Sequence, residues 1–313
     1  MIAFLGVACL VAGMATGTSF DTTIAVRPGA RLTVNNFEGA IHVSSWARNL
    51  VKIGATHAQR ASVMVDGGPV EVEVRSVGRM GVPGMVDYDI VVPRWMDLKL
   101  QGVTTGMRME GMEGDVEAAT VNGGIQLVGG RGFVHLAAVQ GGVEVRDARG
   151  RLEVNAVNDD VHLDNVAGEV SAEAVNGDLV MERVDAASVE GETVNGSIHY
   201  SGALRAQGRY RFATHNGDIT VVLPRDPDAS VSVSTFSGEF VSSLPVQISD
   251  TRRGRNFNFV LGHGAADLRL ESFRGTIRLV RVEDGKDKSD KLERRAEKLE
   301  RKAEKLAKKK EDE

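Results

Sequence analysis

The six residues AVNGDL (Ala174–Leu179) have relatives along the middle of the chain: TVNGGI from Thr120, AVQGGV from Ala138, AVNDDV from Ala156, TVNGSI from Thr193 and THNGDI from Thr214. A fixed period of this kind marks a repeat architecture. Glycines fall at Gly114, Gly123, Gly132, Gly141, Gly150, Gly168 and Gly177 on a nine-residue beat, with Asp159 in the one slot that lacks glycine. Two residues after each marker stands an apolar side chain: Val116, Ile125, Val134, Val143, Leu152, Val161, Val170 and Leu179. Two residues further comes another small or apolar one, such as Leu127, Val145, Leu163 or Met181. Each unit therefore reads as a turn and a short strand of period two, one face inward and one outward.

Alternate units differ. The Asn-Gly type occupies every second marker, at Gly123, Gly141, Asp159 and Gly177, so the true period is 18 residues with two strands each. Later copies stretch: Asn176 to Asn195 is 19 residues and Asn195 to Asn216 is 21. NFEGAIHV (Asn36–Val43) reads as an early copy and SFRGTIRL (Ser272–Leu279) as a last one. A coil of 18–21 residues cannot bury its apolar face alone. Stacked at about 4.8 Å, such coils pair strand to strand and share one core. The expected fold is all-β, a single-chain β-solenoid. An antiparallel sandwich does not account for the constant beat.

In that fold Asn122, Asn158, Asn176, Asn195 and Asn216 stand on one edge as a turn ladder, since stacked amides hydrogen-bond to one another. Asn-Gly is a turn dipeptide, with glycine free to take positive φ. The register places Val175 and Leu179 inside, Asn176-Gly177 at a corner and Asp178 on the surface. Asp160, Asp178 and Asp218 then form an outward row, with Asp160 and Asp178 about 5 Å apart. This row is the one candidate ligand-binding feature, and the basis of an alternative reading as a β-helix carbohydrate-active enzyme. Gly124, Gly142 and Ser197 interrupt the row, and no file of Arg or Lys accompanies it.

Other chemistry is thin. His162 and His199 share a face two coils apart, about 10 Å, and His135 lies on the other face, so no metal site is expected. NDD (Asn158–Asp160) and GHG (Gly262–Gly264) resemble short motifs of β-helix pectin hydrolases, but about a hundred residues separate them where those enzymes need a few coils. Units such as GRLEVNAVN lack the aspartate of calcium-binding nonapeptide repeats. No nucleophile motif or phosphate-binding loop is present, and no catalytic residue or cofactor is expected. A net charge of −5 argues against nucleic acid as a partner.

The chain has 313 residues, 36 of them Gly and 7 Pro, with 5% aromatics. That composition suits short stacked strands better than a compact α/β enzyme. Residues 1–18 read as a signal peptide: Ile2 to Met14 is apolar and uncharged, and small residues follow. The only cysteine, Cys9, lies inside this segment. Residues 19–105 read as an irregular β region capping the solenoid, 106–283 as the repeats, and 284–313 as a charged helical tail. In the tail Leu292, Ala296, Leu299, Ala303 and Leu306 make a heptad seam. From Lys286 onward 12 basic residues face 9 acidic ones. The tail is expected to self-associate weakly, to be a solvated helix, or to dock on an anionic surface through Lys298, Arg301, Lys302, Lys305 and Lys308–Lys310.

LTVNNFEGAIHVSSWARNLVKIGA (Leu32–Ala55), VVPRWMDLKL (Val91–Leu100), the VNGDI-type repeats and ADLRLESFRGTIRL (Ala266–Leu279) together resemble the bacterial putative-adhesin β-repeat proteins, also called toastrack domains. The resemblance covers about residues 20 to 282. It implies a single-chain β-solenoid outside the cytoplasm, often associated with envelope-stress sensing, and a family with no accepted catalytic residues to transfer. The expected function is a non-enzymatic, exported binding or scaffold surface at the bacterial cell envelope, in the periplasm or on the cell surface. Its partner would be an envelope protein or polysaccharide. A second reading is a stress-sensing module that relays to a membrane partner through the tail.

Overall fold

The structure is a computed structural model, and it describes residues 18–57, 61–78, 84–244 and 255–282. The signal segment expected at 1–18, apart from Thr18, and the helical tail expected at 284–313 lie outside these residues. The described residues form 23 β-strands and no helical element. The chain opens with β1 (Thr18–Ala25) and the long β2 (Arg31–Trp46). Then come β3 (Leu50–His57), β4 (Ala61–Gly67), β5 (Glu71–Gly78), β6 (Val86–Pro93) and a second long strand, β7 (Asp97–Glu110). Long and short strands then alternate: β8 (Val116–Asn122), β9 (Ile125–Val128), β10 (Phe133–Gln140), β11 (Val143–Arg146), β12 (Arg149–Ala156), β13 (Val161–Asp164) and β14 (Ala167–Asn176). The continuous β15 (Leu179–Asn195) joins a short strand to the next long one. After it run β16 (Ile198–Gly202), β17 (Arg209–Asn216), β18 (Ile219–Leu223), β19 (Ala229–Thr235), β20 (Phe240–Ser242), β21 (Arg255–Leu261), β22 (Ala266–Arg274) and β23 (Ile277–Arg281).

The alternation builds two parallel ladders. β8, β10, β12 and β14 stack with partners 18 residues apart, as in Leu136↔Val154 and Val154↔Ala172. The late half of β15, β17 and β22 continue this long-strand ladder. β9, β11, β13, the early half of β15, β16, β18 and β23 form the short-strand ladder. Alternating burial along each strand sends Val170, Ala172, Leu179 and Met181 into the core between the ladders. A buried Val or Leu contributes roughly 1.5–3 kcal/mol. In the later coils Tyr200, Tyr210 and Phe212 fill the same core, and Gly191 leaves the room that the Phe212 ring uses.

Residue 106 is not a structural boundary. β2 and β7 each serve both ladders and pair in register from Arg31↔Asp97 to Val43↔Met109. The stack thus extends into the segment assigned above to a cap, and the early copy around Gly39 is a coil within it. The nine-residue glycine beat begins only later, which hid the continuity between that copy and the repeats. At both ends the chain interleaves. β2 lies between β7 and the β5–β6 coil, and the β22–β23 coil lies between β17–β18 and β19–β20. Antiparallel strands then cover the outermost coils: β4 on β5, β3 on β6, β1 on β3, and β21 on β19. Covered in this way, the end coils do not offer a bare parallel edge to another chain.

Each coil turns twice. At the first corner, after the long strand, sit the Asn-Gly pairs. At the second corner, Gly111, Gly129, Asp147, Asn165 and Arg183 recur at 18-residue spacing, all with positive φ between 52° and 80°. The residue after each is an apolar plug or glycine, with Met112, Ala148, Val166 and Val184 all buried.

Candidate interaction surface

The first corner is fastened by three files of contacts. On the outside, Asn176 Nδ2 donates to Asn158 Oδ1 at 3.1 Å, Asn195 to Asn176 at 2.9 Å, and Asn216 to Asn195 at 2.8 Å. Asn122 stands two rungs from Asn158, with Gln140 in register between them. On the inside, buried hydroxyls hold the glycine carbonyl of the preceding coil: Thr193 Oγ1 donates to Gly177 O at 3.0 Å and Thr214 Oγ1 to Gly196 O at 2.9 Å. The glycines themselves sit against the coil beneath. A Cβ on Gly177 would overlap the Asp159 carbonyl, and one on Gly196 or Gly217 would overlap the carbonyl of the previous glycine. Gly123 and Gly141 also take positive φ, but Gly177, Gly196 and Gly217 do not. The glycine requirement at those three is therefore close packing between coils, not the backbone freedom anticipated from the dipeptide.

The outward acidic row is drawn into the same framework. Asp160 Oδ1 accepts the Asp178 N–H at 2.8 Å, and Asp178 Oδ1 accepts the Ser197 N–H at 2.7 Å. Asp218 accepts the Thr276 N–H at 2.7 Å and the Arg278 guanidinium at 2.6 Å. Partial burial pushes the Asp218 carboxyl up, but Arg278 and the Thr276 N–H outweigh it and hold its pKa below the usual carboxylate value. Asp159, in the glycine slot, accepts the Gly141 N–H at 2.6 Å. These carboxylates bond one coil to the next. His162 and His199 lie two rungs apart with Val180 between them, and burial lowers the His199 pKa. Among the described residues no group of three or more His, Cys, Asp or Glu could hold a metal ion.

Val175 is a correction. It points out, not in: Ala174 is buried and Val175 is 42% exposed. The same holds in every coil, because the small residue before it (Thr120, Ala138, Ala156, Thr193 or Thr214) takes the inward position next to the corner. Val103, Val121, Val139, Val157, Val175 and Val194 therefore form an exposed apolar column on the outer face of the long-strand ladder. Phe37 extends it at one end, and His215, Phe273 and Phe236 at the other. The nine hydrophobic members are between 36% and 71% exposed. Ten rungs at about 4.8 Å give a ridge about 40 Å long. At its C-terminal end the rings stack nearly parallel: His215 on Phe273 at 4.6 Å and Phe273 on Phe236 at 4.7 Å.

Beside the ridge, from Val157 to Phe236, runs an open groove of about 630 Å³. Its far wall carries Asn155, Glu173, Glu192, Ala213, Glu271 and Ser234, two residues before each ridge member. A contiguous exposed apolar feature of this length marks an interaction site. A signal for it was in the sequence: each repeat puts two non-charged residues in a row, Ala-Val or Thr-Val, and strict alternation can bury only one of them.

Comparison with known proteins comes to this. The family model described as Toastrack DUF4097 matches residues 97–280. The chain is similar to a putative cell adhesion protein from Clostridium sporogenes, at 11% identity and a TM-score of 0.24, over 84% of this chain and 100% of that one. It is similar also to a putative adhesin from Bacteroides fragilis, at 10% identity and a TM-score of 0.41, over 84% of this chain and 97% of that one. No curated protein matches it. The family match runs from the start of β7 into β23, more than half of the 313 residues, and the chain belongs to the Toastrack DUF4097 family.

Proposed function

We propose that this chain is an exported, non-enzymatic repeat protein whose long-strand face is a binding or scaffold surface at the bacterial cell envelope. The observation that carries the reading is the unbroken exposed column from Phe37 to Phe236. A row of separate catalytic sites would vary little in its outward polar groups and need no apolar file. Here the file is continuous, and the outward carboxylates of Asp160 and Asp178 are occupied with backbone N–H groups. The apolar, uncharged start of the chain supports export.

The test is retention by isolated cell envelopes of the purified chain and of a variant with Val121→Glu and Val139→Glu. Both positions are exposed, so far-UV circular dichroism should be unchanged while retention falls at least tenfold. Equal retention of the two proteins would remove the ridge as the binding surface. A polysaccharide-degrading activity lost on Asp160→Asn with Asp178→Asn, in a folded protein, would replace the reading with an enzyme.

A further inference from the structure

The second corner holds a recess of about 280 Å³ that no ridge residue lines. Its floor is bare backbone, because Gly111, Gly129 and Gly130 carry no side chain over it. In the next coils Asp147, Asn165 and Arg183 take the place of Gly129, so the corner is open only here. The walls are Arg94, Arg131 and Arg149, all exposed, with Glu113 and Asp147. Arg94 O accepts the Glu113 N–H at 2.7 Å, and Gly130 O accepts the Arg149 N–H at 2.7 Å. Arg94, Glu113, Arg131 and Arg149 thus follow one another up the stack, about 4.8 Å per level.

These three arginines differ from others on the same corner. Arg146 pairs with Glu144, Arg183 pairs with Asp164, and Arg205 grips Asp185 with two bonds of 2.7 Å. Among the described residues no carboxylate pairs with Arg94, Arg131 or Arg149. Arg149 acts on Asp185 only through its charge, and that carboxylate already holds Arg205. Arg131 and Arg149 are like charges on adjacent levels, and no side chain between them relieves the repulsion. An anion seated in the recess would.

The chemistry of the walls narrows the anion. A guanidinium fork matches a carboxylate or a phosphate. Forks arriving from three levels suit the tetrahedral oxygens of a phosphate better than the flat pair of a carboxylate. Glu113 and Asp147 offset two of the three positive charges, so one remains in excess, as a singly charged diester requires. Asp147 is engaged by Asn165 Nδ2, which leaves Glu113 to accept a hydroxyl. GGRG (Gly129–Gly132) opens no helix, so the site is not a nucleotide loop and its charge comes from side chains.

We propose that the recess binds a phosphodiester through Arg94, Arg131 and Arg149, with Glu113 accepting a hydroxyl of the ester. A phospholipid headgroup and a phosphodiester polymer share this chemistry. The site lies apart from the ridge and does not depend on the ridge binding a partner.

The experiment uses the full chain at low ionic strength, where such contacts are least screened. The soluble probe is glycerophosphoglycerol, followed by titration calorimetry, and the lipid probe is phosphatidylglycerol vesicles, followed by co-sedimentation. Arg131→Gln with Arg149→Gln should weaken binding about tenfold or more, with far-UV circular dichroism unchanged. Arg146→Gln removes a charge already paired on the same corner and should change binding less than about twofold. Val121→Glu with Val139→Glu on the ridge should leave it unchanged. Binding of the soluble diester supports a polymer as the source, and binding of vesicles alone assigns the lipid headgroup. A loss from Arg146→Gln equal to that of the double variant would reduce the effect to general corner charge and overturn the site. Glucuronate bound as tightly as the diester would overturn its selectivity for phosphate. A wild type that binds neither probe overturns the proposal, whatever the ridge variant does at the envelope.

Discussion

The two corners of each coil make the same reversal by different physics. At the first corner successive coils approach so closely that a Cβ on Gly177, Gly196 or Gly217 would overlap the carbonyl beneath it. At the second corner the backbone takes positive φ, but there is room: a Cβ on Gly129 would meet nothing nearer than Gly111 at 3.5 Å. Close packing excludes a side chain at these three glycines, although the equivalent slot of another coil holds Asp159. Positive φ only disfavours one, by roughly 1–2 kcal/mol. Hence the first corner repeats Asn-Gly almost letter for letter, while the second runs through Gly111, Gly129, Asp147, Asn165 and Arg183.

The sharpest way to break this distinction is Gly196→Ala against Gly129→Ala. At Gly196 the new methyl group meets the rigid Gly177 carbonyl and approaches Thr193 Oγ1 at 3.1 Å. Overpacking of this kind against backbone should cost about 3 kcal/mol or more, read as a fall in the urea midpoint at constant slope. At Gly129 only the φ cost applies, about 1 kcal/mol. Equal losses at the two positions would mean that the corners do not differ as described.

Thr193→Val tests the inner fastening of the first corner. The change keeps the shape and removes the 3.0 Å bond to Gly177 O, leaving that carbonyl with one partner fewer. The expected loss is about 1 kcal/mol, and Asn195→Ala on the exposed ladder should lose less. If the outer amide proved the more costly of the two, the corner would be held from its surface.

Asp218→Asn reports on the same corner through pH. The folded Asp218 has a pKa below its ordinary 3.8. Its contribution is therefore fully present above the unfolded carboxylate value, near 3.9, and is lost as the pH falls through the folded value. The variant should be less stable than the wild type at pH 7 by up to about 1 kcal/mol, a small figure because the Arg278 pair is solvent-screened. The gap should close as the pH falls through the folded value. A gap that widened in acid would contradict the depressed pKa.

How much of this was legible in the letters follows from the same contrast. The first corner was legible because steric exclusion writes glycine in most coils, and with it came the period, the parallel ladders and the asparagine file through Asn158, Asn176, Asn195 and Asn216. The second corner was not, since αL geometry accepts several residues and leaves only a spacing. The copy at Gly39 was legible, but it stands far from the nine-residue beat, so the segment between them was read as a cap and not as further coils. The ridge escaped notice because Val175 was assigned inward on hydrophobicity alone. The inner position next to the corner is narrow and needs a hydroxyl that reaches the glycine carbonyl or a small methyl. Thr and Ala win it, and the larger valine is turned out to solvent.

The smallest expected effect is also the most discriminating for the second corner. Arg183 sits at φ 52° and its exposed guanidinium pairs with Asp164, whose side chain is only 15% exposed. Arg183→Gly removes the αL cost of roughly 1–2 kcal/mol. It also loses an ion pair that is exposed on the arginine side only, about 1 kcal/mol, and makes the unfolded chain more flexible by about 0.4–1 kcal/mol. The terms nearly cancel, so stability should stay within about 0.5 kcal/mol of the wild type. The converse change at the first corner, any residue for Gly196, has no cancelling term, because the obstacle is an occupied volume. A large loss from Arg183→Gly would show instead that the Asp164 pair holds the second corner, and that side-chain contacts, not backbone geometry, fix both turns.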